Sequence, residues 1–209
     1  VVDSTVYALN TEAEITAFST QSGKQLWQTD IANPDEDDLV IGGGIAYSAG
    51  RLFATNGYNE LLALSPKTGE IIWRKTLSAP SRAAPTIVDD RVFVMTLDNK
   101  LLALSTDNGE NLWEYLGIAE TAGLIGAASP AANRDIVIPA FSSGEITAIR
   151  TANGSVAWSD NLSNIRRLGG LGTISDIKAL PVIDKGLIIA ISFAGRIVAI
   201  DERTGVRIW

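Results

Sequence analysis

Apolar residues fall in short runs of four to eight along this chain, and the runs end at Gly, Asn, Asp or Pro. The pattern is plainest between residues 84 and 116. Ala84-Pro85-Thr86-Ile87-Val88 is one run, closed by Asp89-Asp90, and Arg91 to Leu97 is a second, turned at Asp98-Asn99. Lys100 to Ser105 is a third, and Glu110 to Leu116 a fourth, beyond the turn Thr106-Asp107-Asn108-Gly109. Runs of this length, rich in Val, Ile, Leu and Phe, predict strands joined by hairpins. No stretch of ten or more residues carries the period of an amphipathic helix. Segments such as Leu61-Leu62-Ala63-Leu64 are apolar at every position instead of alternating. A strand of that kind needs cover on both faces, which predicts small sheets stacked against one another.

The same four-strand pattern recurs, and five tryptophans mark it. Trp27, Trp73, Trp113, Trp158 and Trp209 are separated by 46, 40, 45 and 51 residues. Four residues before each stands a glycine: Gly23, Gly69, Gly109, Gly154 and Gly205. Ten before each stands an alanine: Ala17, Ala63, Ala103, Ala148 and Ala199. The glycine suits a hairpin loop of three to five residues that re-enters its strand at positive φ, where a Cβ would clash. The small alanine beside a large indole predicts that an indole from one sheet packs into the space left by the missing side chain. The Trp, Ala and Gly sets are therefore expected to be blade-docking residues. Four-stranded units of 40 to 51 residues that bury their faces against neighbours predict an all-β fold, a β-propeller of four-stranded antiparallel blades.

Residues 199–209 read Ala199-Ile200-Asp201-Glu202-Arg203-Thr204-Gly205-Val206-Arg207-Ile208-Trp209. This segment resembles the A-x-D-x-x-T-G-x-x-x-W docking motif of quinoprotein-like (PQQ-type) propellers at every fixed position. Ala63 to Trp73 departs only by Ser65 in place of Asp, and the remaining copies keep Ala, Gly and Trp. Aligning Val6-Tyr7 with Val92-Phe93 puts Val1 late in a first strand, and Trp209 falls inside a fourth. Residues 1–209 are thus expected to form a single partial propeller domain of about five blades. The resemblance implies a parent ring of about eight.

Composition narrows the chemistry. Lys and Arg number 17 against 24 Asp and Glu, a formal charge of −7. Such a chain is a poor partner for nucleic acid, whose binding rests on cationic neutralisation of phosphates. With neither Cys nor His in the sequence, disulfides, thiol nucleophiles, Cys/His zinc sites and a Ser-His-Asp triad are all excluded. The longest nearly uniform apolar run, Leu187 to Ala194, is far short of the roughly 20 residues of a membrane-spanning helix. Asp35-Glu36-Asp37-Asp38 could supply oxygens to Ca²⁺, but without EF-hand-like spacing it reads as a solvated acidic loop.

Function on a propeller resides in loops, because the blades are scaffold. Two long connections break the repeat: Gly117 to Pro130, and Ser163 to Pro181. Both join a fourth strand to the next first strand, so they are expected on the same end of the ring, on adjacent blades. Each mixes glycines with Leu and Ile, and the second adds Arg166, Arg167, Asp176 and Lys178. Apolar loop residues beside charges suit a protein-binding patch; the other reading is that Leu124, Ile125 and Leu171 plug the mouth of the ring.

The run Leu77 to Pro85, followed in order by these two loops, resembles the BamB family, propeller lipoproteins of the outer-membrane β-barrel assembly machinery. In that family the two loops contact the POTRA domains of BamA. Of the family's L-x-L-R-G patch, residues 122–126 keep Leu124 and Gly126, with Ala122 for the first Leu and Ile125 for Arg. Of its D-x-D-x-x-P patch, residues 176–181 keep Asp176 and Pro181, with Lys178 for the second carboxylate. The resemblance implies a non-enzymatic scaffold without a cofactor or metal, on the periplasmic face of the outer membrane. A lipid absent from this chain would anchor it. Its partners would be BamA-type POTRA domains and other assembly subunits, with unfolded outer-membrane proteins as a further candidate. Leu124, Ile125, Arg166, Arg167, Asp176 and Lys178 are the expected partner-binding residues. Two other readings stand beside it: a PQQ-dependent quinoprotein dehydrogenase, and a ligand-binding sensor propeller.

Overall fold

A computed structural model of the protein describes residues 1–33, 42–118, 128–141, 144–161, 179–192 and 195–209. These residues build five antiparallel sheets and no helix. The first sheet holds β1 (Thr5–Leu9), β2 (Glu14–Ser19) and β3 (Gln25–Asp30). The second holds β4 (Gly44–Ser48), β5 (Arg51–Thr55), β6 (Glu60–Leu64) and β7 (Ile71–Thr76). The third holds β8 (Thr86–Val88), β9 (Arg91–Met95), β10 (Lys100–Ser105) and β11 (Asn111–Leu116). The fourth holds β12 (Ala131–Ala132), β13 (Ile136–Ile138), β14 (Glu145–Arg150) and β15 (Val156–Asn161). The fifth holds β16 (Val182–Asp184), β17 (Leu187–Ile191) and β18 (Ile197–Asp201). Within each sheet, strands pair in chain order as a meander.

First strands of successive sheets lie side by side, β4 by β8, β8 by β12 and β12 by β16. The sheets are therefore blades set round an axis, and the fold is a β-propeller. Convergence at the axis demands small residues: a Cβ at Gly44 would stand 2.7 Å from that of Ala84. The core is divided in the same way. Each of its four clusters draws on two neighbouring blades, as where Phe53 and Leu61 meet Val92, Val94 and Leu102. The middles of the third strands β6, β10, β14 and β18 are buried on both faces, and all five residues of β6, Glu60 among them, are buried.

The tryptophan repeat resolves into two separate contacts. Within a blade the alanine faces the tryptophan across the ladder: Ala17 opposite Trp27, Ala63 opposite Trp73, Ala103 opposite Trp113 and Ala148 opposite Trp158. On its other side the alanine faces an aromatic of the second strand, Tyr7, Phe53 or Phe93 in the first three blades. Over the small alanine the two rings meet, with centroids 5.8, 6.0 and 5.8 Å apart. Between blades it is the glycine that makes room. A Cβ at Gly69, Gly109, Gly154 or Gly205 would lie 2.6 to 2.9 Å from the indole of the preceding blade. The expectation that alanine supplies the inter-sheet space is corrected accordingly: alanine seats the indole in its own sheet, and the next blade's glycine receives it.

A β-bulge beside each of the four paired tryptophans, at Ala17/Phe18, Ala63/Leu64, Ala103/Leu104 and Ala148/Ile149, re-aims the indole toward that neighbour. Its Nε1–H then donates to a carbonyl there: Trp27 to Pro66 at 3.0 Å, Trp73 to Thr106 at 3.1 Å, Trp113 to Thr151 at 3.0 Å and Trp158 to Glu202 at 2.8 Å. The four rings are half-buried, not sealed inside. Trp209 differs, being 63% exposed with no glycine of a further blade against it among the described residues.

Candidate interaction surface

The two ends of the ring are built differently. One end carries the tight hairpins between third and fourth strands. The other carries the turns between second and third strands, together with every connection from a fourth strand to the next blade. The two long connections predicted to bind a partner leave from β11 and β15 and return to β12 and β16. They share one end and belong to adjacent blades. Leu124, Ile125, Arg166, Arg167, Asp176 and Lys178 lie outside the described residues, as does the acidic run 35–38. Their roots are described.

The three described exits from a fourth strand, after β3, β7 and β11, are pinned to their own blades. The amides of Ile31, Leu77 and Gly117 donate to the carbonyls of Ala13, Asn59 and Asn99 at 2.9, 2.6 and 2.9 Å. Ile31 and Leu77 are buried at this position. Gly117 instead admits a neighbour, since a Cβ there would meet the Phe141 ring at 2.5 Å. Phe141, fully buried, packs on Tyr115 with centroids 5.7 Å apart. Burial pushes the Tyr115 phenol above its ordinary range, and the charge of Glu145 adds to the rise.

The short connection 77–85 shows how this end is held where it is described. Leu97 N–H donates to Pro80 O, Ser81 N–H to Tyr58 O and Thr55 Oγ1 to Ala83 O, at 2.8, 3.2 and 2.8 Å. These bonds also explain two strand ends that differ from the sequence reading. β8 starts at Thr86, two residues late, because Ala83 and Ala84 are spent on Thr55 and on the approach to Gly44. β9 stops at Met95 because the amide of Leu97 turns out of the ladder to Pro80.

Polar clamps brace the same end of the second and third blades. Arg74 Nη1 donates to Glu60 Oε2 at 2.6 Å and to Ala32 O at 3.3 Å. Asn56 Nδ2 bonds Glu60 at 2.8 Å and Ile31 O at 3.0 Å. In the next blade the signs are exchanged, with Lys100 Nζ 3.7 Å from Glu114 and 3.9 Å from Asp98.

What the structure adds is a set of exposed apolar side chains at the roots. Leu116 and Ile118, 63% and 60% exposed, lead into the first long loop. Leu97 stands 44% exposed on the same blade, and Leu180, at 62%, ends the second loop. Residue-type reading passed over them, although the repeat holds the signal. Three residues after the tryptophan the other blades carry Asp30, Thr76 and Asn161, where this blade carries Leu116. Among the described residues no three Asp or Glu side chains converge as a metal site.

The sequence pattern of the family described as outer membrane protein assembly factor BamB matches residues 11–209. An uncharacterised protein of Rickettsia conorii is 30% identical over 207 residues, which are 98% of this chain and 50% of that one. Outer membrane protein assembly factor BamB of Yersinia pestis is 23% identical over 209 residues, 98% of this chain and 53% of its own. The chain spans about half the length of the curated relatives it matches. Among solved structures, BamB from Moraxella catarrhalis superimposes with a TM-score of 0.87 at 21% identity, covering all of this chain and 61% of that one. Quinohemoprotein alcohol dehydrogenase from Comamonas testosteroni reaches 0.76 at 15% identity, covering all of this chain and 41% of that one.

Proposed function

The chain belongs to the outer membrane protein assembly factor BamB family, and from that premise we propose that it is a scaffold that assists assembly of outer-membrane β-barrels by holding another subunit. The end that bears the two long loops is the binding end, and the POTRA domains of BamA are the partner. The observation that carries this reading is the exposure of Leu97, Leu116, Ile118 and Leu180 at the loop end. Exposed Leu and Ile at the roots of loops whose sequence carries charges can supply the apolar centre and polar rim of a protein interface. Leu124 and Ile125 extend the apolar centre; Arg166, Arg167, Asp176 and Lys178 form the polar rim. The role is non-enzymatic and belongs on the periplasmic side of the outer membrane, with anchoring by a lipid.

A pull-down of BamA POTRA domains from the same source tests it, comparing the natural protein with Leu124→Asp and Asp176→Arg. Each variant is expected to reduce capture at least about tenfold, the loss of a well-placed interface anchor. Undiminished capture by both would remove the surface.

A further inference from the structure

Asn-Gly occurs three times in the chain, at 56–57, 108–109 and 153–154. In this pair no side chain shields the glycine nitrogen, which makes it the least hindered amide for closing on the asparagine Cγ. The structure sets the three pairs apart. Asn56 is 2% exposed, its Nδ2 donates to Ile31 O and Glu60 Oε2 at 3.0 and 2.8 Å, and its Oδ1 accepts from Tyr58 N–H. A carboxamide held at both ends cannot turn toward the next amide. Asn108 and Asn153 are exposed, on the tight hairpins between third and fourth strands, and their Nδ2 groups donate to nothing among the described residues.

These two turns share their backbone bonding and differ in the residue after the glycine. Five residues before the tryptophan, the first, second and fifth blades carry Ser22, Thr68 and Thr204, whose hydroxyls accept the amide two residues on at 3.4 Å. Asn108 Oδ1 takes that bond from Glu110 N–H at 3.1 Å, and Asn153 Oδ1 takes it from Ser155 N–H at 3.0 Å. Gly109 and Gly154 each donate back into their turn, to Ser105 O and Arg150 O at 3.0 and 2.9 Å, so the attacking nitrogen is restrained alike in both. Asn153 alone of the two has a second donor on its oxygen, the Ser155 hydroxyl at 2.8 Å. At the corresponding place the third blade carries Glu110, whose negative charge opposes the anionic nitrogen and oxygen of the reaction.

We propose that Asn153 is a self-modification site that deamidates through a cyclic imide, with Ser155 as the positioning residue. Once the hairpin opens enough to free it, the Gly154 nitrogen loses its proton to solvent hydroxide and bonds to Cγ of Asn153. The carbonyl electron pair moves to Oδ1, where the amide and hydroxyl of Ser155 stabilise the oxyanion. Its return breaks the Cγ–Nδ2 bond, and the nitrogen leaves as ammonia with a proton from water. Water then opens the imide at either carbonyl, giving aspartate or isoaspartate and a new negative charge. Aspartate keeps acceptors for both Ser155 donors. Isoaspartate carries the main chain through an added carbon and shifts Gly154, where even a Cβ would lie 2.8 Å from the Trp113 ring. The turn is remote from the loop end, so this proposal and the proposed function stand or fall separately.

Ageing of the full-length protein in mildly alkaline buffer, followed by peptide mapping in a mass spectrometer, tests the proposal. Acid is expected at 153 about fivefold faster than at 108, and Ser155→Ala is expected to slow the reaction at 153 about fivefold, the worth of one hydrogen bond. Asn56 should stay an amide while the fold persists. Ser155 is exposed, and sister blades carry Lys24, Glu70, Glu110 and Val206 at its place, so Ser155→Ala should keep its melting curve. Asn153→Thr copies the second and fifth blades and should melt like the natural protein while forming no acid at this turn. Comparison of the three asparagines within one natural molecule carries the test even if a variant folds poorly. Equal rates at 108 and 153, acid appearing first at 56, or an undiminished rate in Ser155→Ala would each overturn it.

Discussion

At the scale of single residues, two glycines at nearly the same φ separate backbone conformation from inter-blade contact. Gly50 and Gly154 have φ of +77° and +74°, yet a Cβ at Gly50 meets nothing within 4 Å while one at Gly154 lies 2.8 Å from the Trp113 ring. Gly50→Ala should therefore cost only the left-handed backbone term, about 1–2 kcal/mol. Gly154→Ala should cost about 1–3 kcal/mol more, as the indole is forced off its seat. Urea unfolding of the pair reads the difference; equal midpoints would mean that the indole yields freely. Trp113→Phe removes the bond to Thr151 O and should lose about 1 kcal/mol. Spacing along the chain revealed that Trp, Ala and Gly act together. Which of them faces the neighbouring blade was not legible, because hairpin conformation and inter-blade packing both ask for the same glycine.

At the scale of the blade, strands and turns were legible because turn chemistry and apolar runs agree in every repeat, and the late start of β8 shows where that legibility ends. Bonds such as Thr55 to Ala83 come from another part of the blade and leave no local trace in sequence. The charge pairs at the loop end behave likewise. Glu60 is buried against Arg74 and Asn56, whereas Lys100 and Glu114 form a looser, partly exposed pair of opposite sense. Glu60→Gln leaves Arg74 without its carboxylate and Asn56 with a poorer acceptor. Arg74 is itself about a third exposed, which discounts the loss to about 1–3 kcal/mol. Lys100→Ala should cost at most about 1 kcal/mol. Exchanging the second pair to Glu60→Lys with Arg74→Glu copies the third blade, and a double-mutant cycle should show favourable coupling of about 1 kcal/mol. The exchange cannot restore everything, because Ala32 O then loses its guanidinium donor.

At the scale of the whole molecule, the fold assigns structural and recognition roles to different places. Indoles, glycines and bulges occupy the blade interfaces, and departures from the repeat collect at the two ends. The long loops were legible as such departures, but their roots were not, since an exposed Leu after a strand reads like any strand residue until its neighbours are known. Leu116 and Ile118 provide the decisive comparison. Both project from the end of β11 into solvent, so Leu116→Asp combined with Ile118→Asp should alter stability by no more than about 0.5–1 kcal/mol. If that end receives the POTRA domains, the same double variant should weaken their capture by about tenfold or more, because two buried anchors become two desolvated charges. Asn153→Thr, at the far end, should leave capture unchanged. A melting curve beside the binding isotherm separates the outcomes: loss of capture with an intact melt places recognition at the roots, whereas full capture by the double variant would move it off this end of the ring.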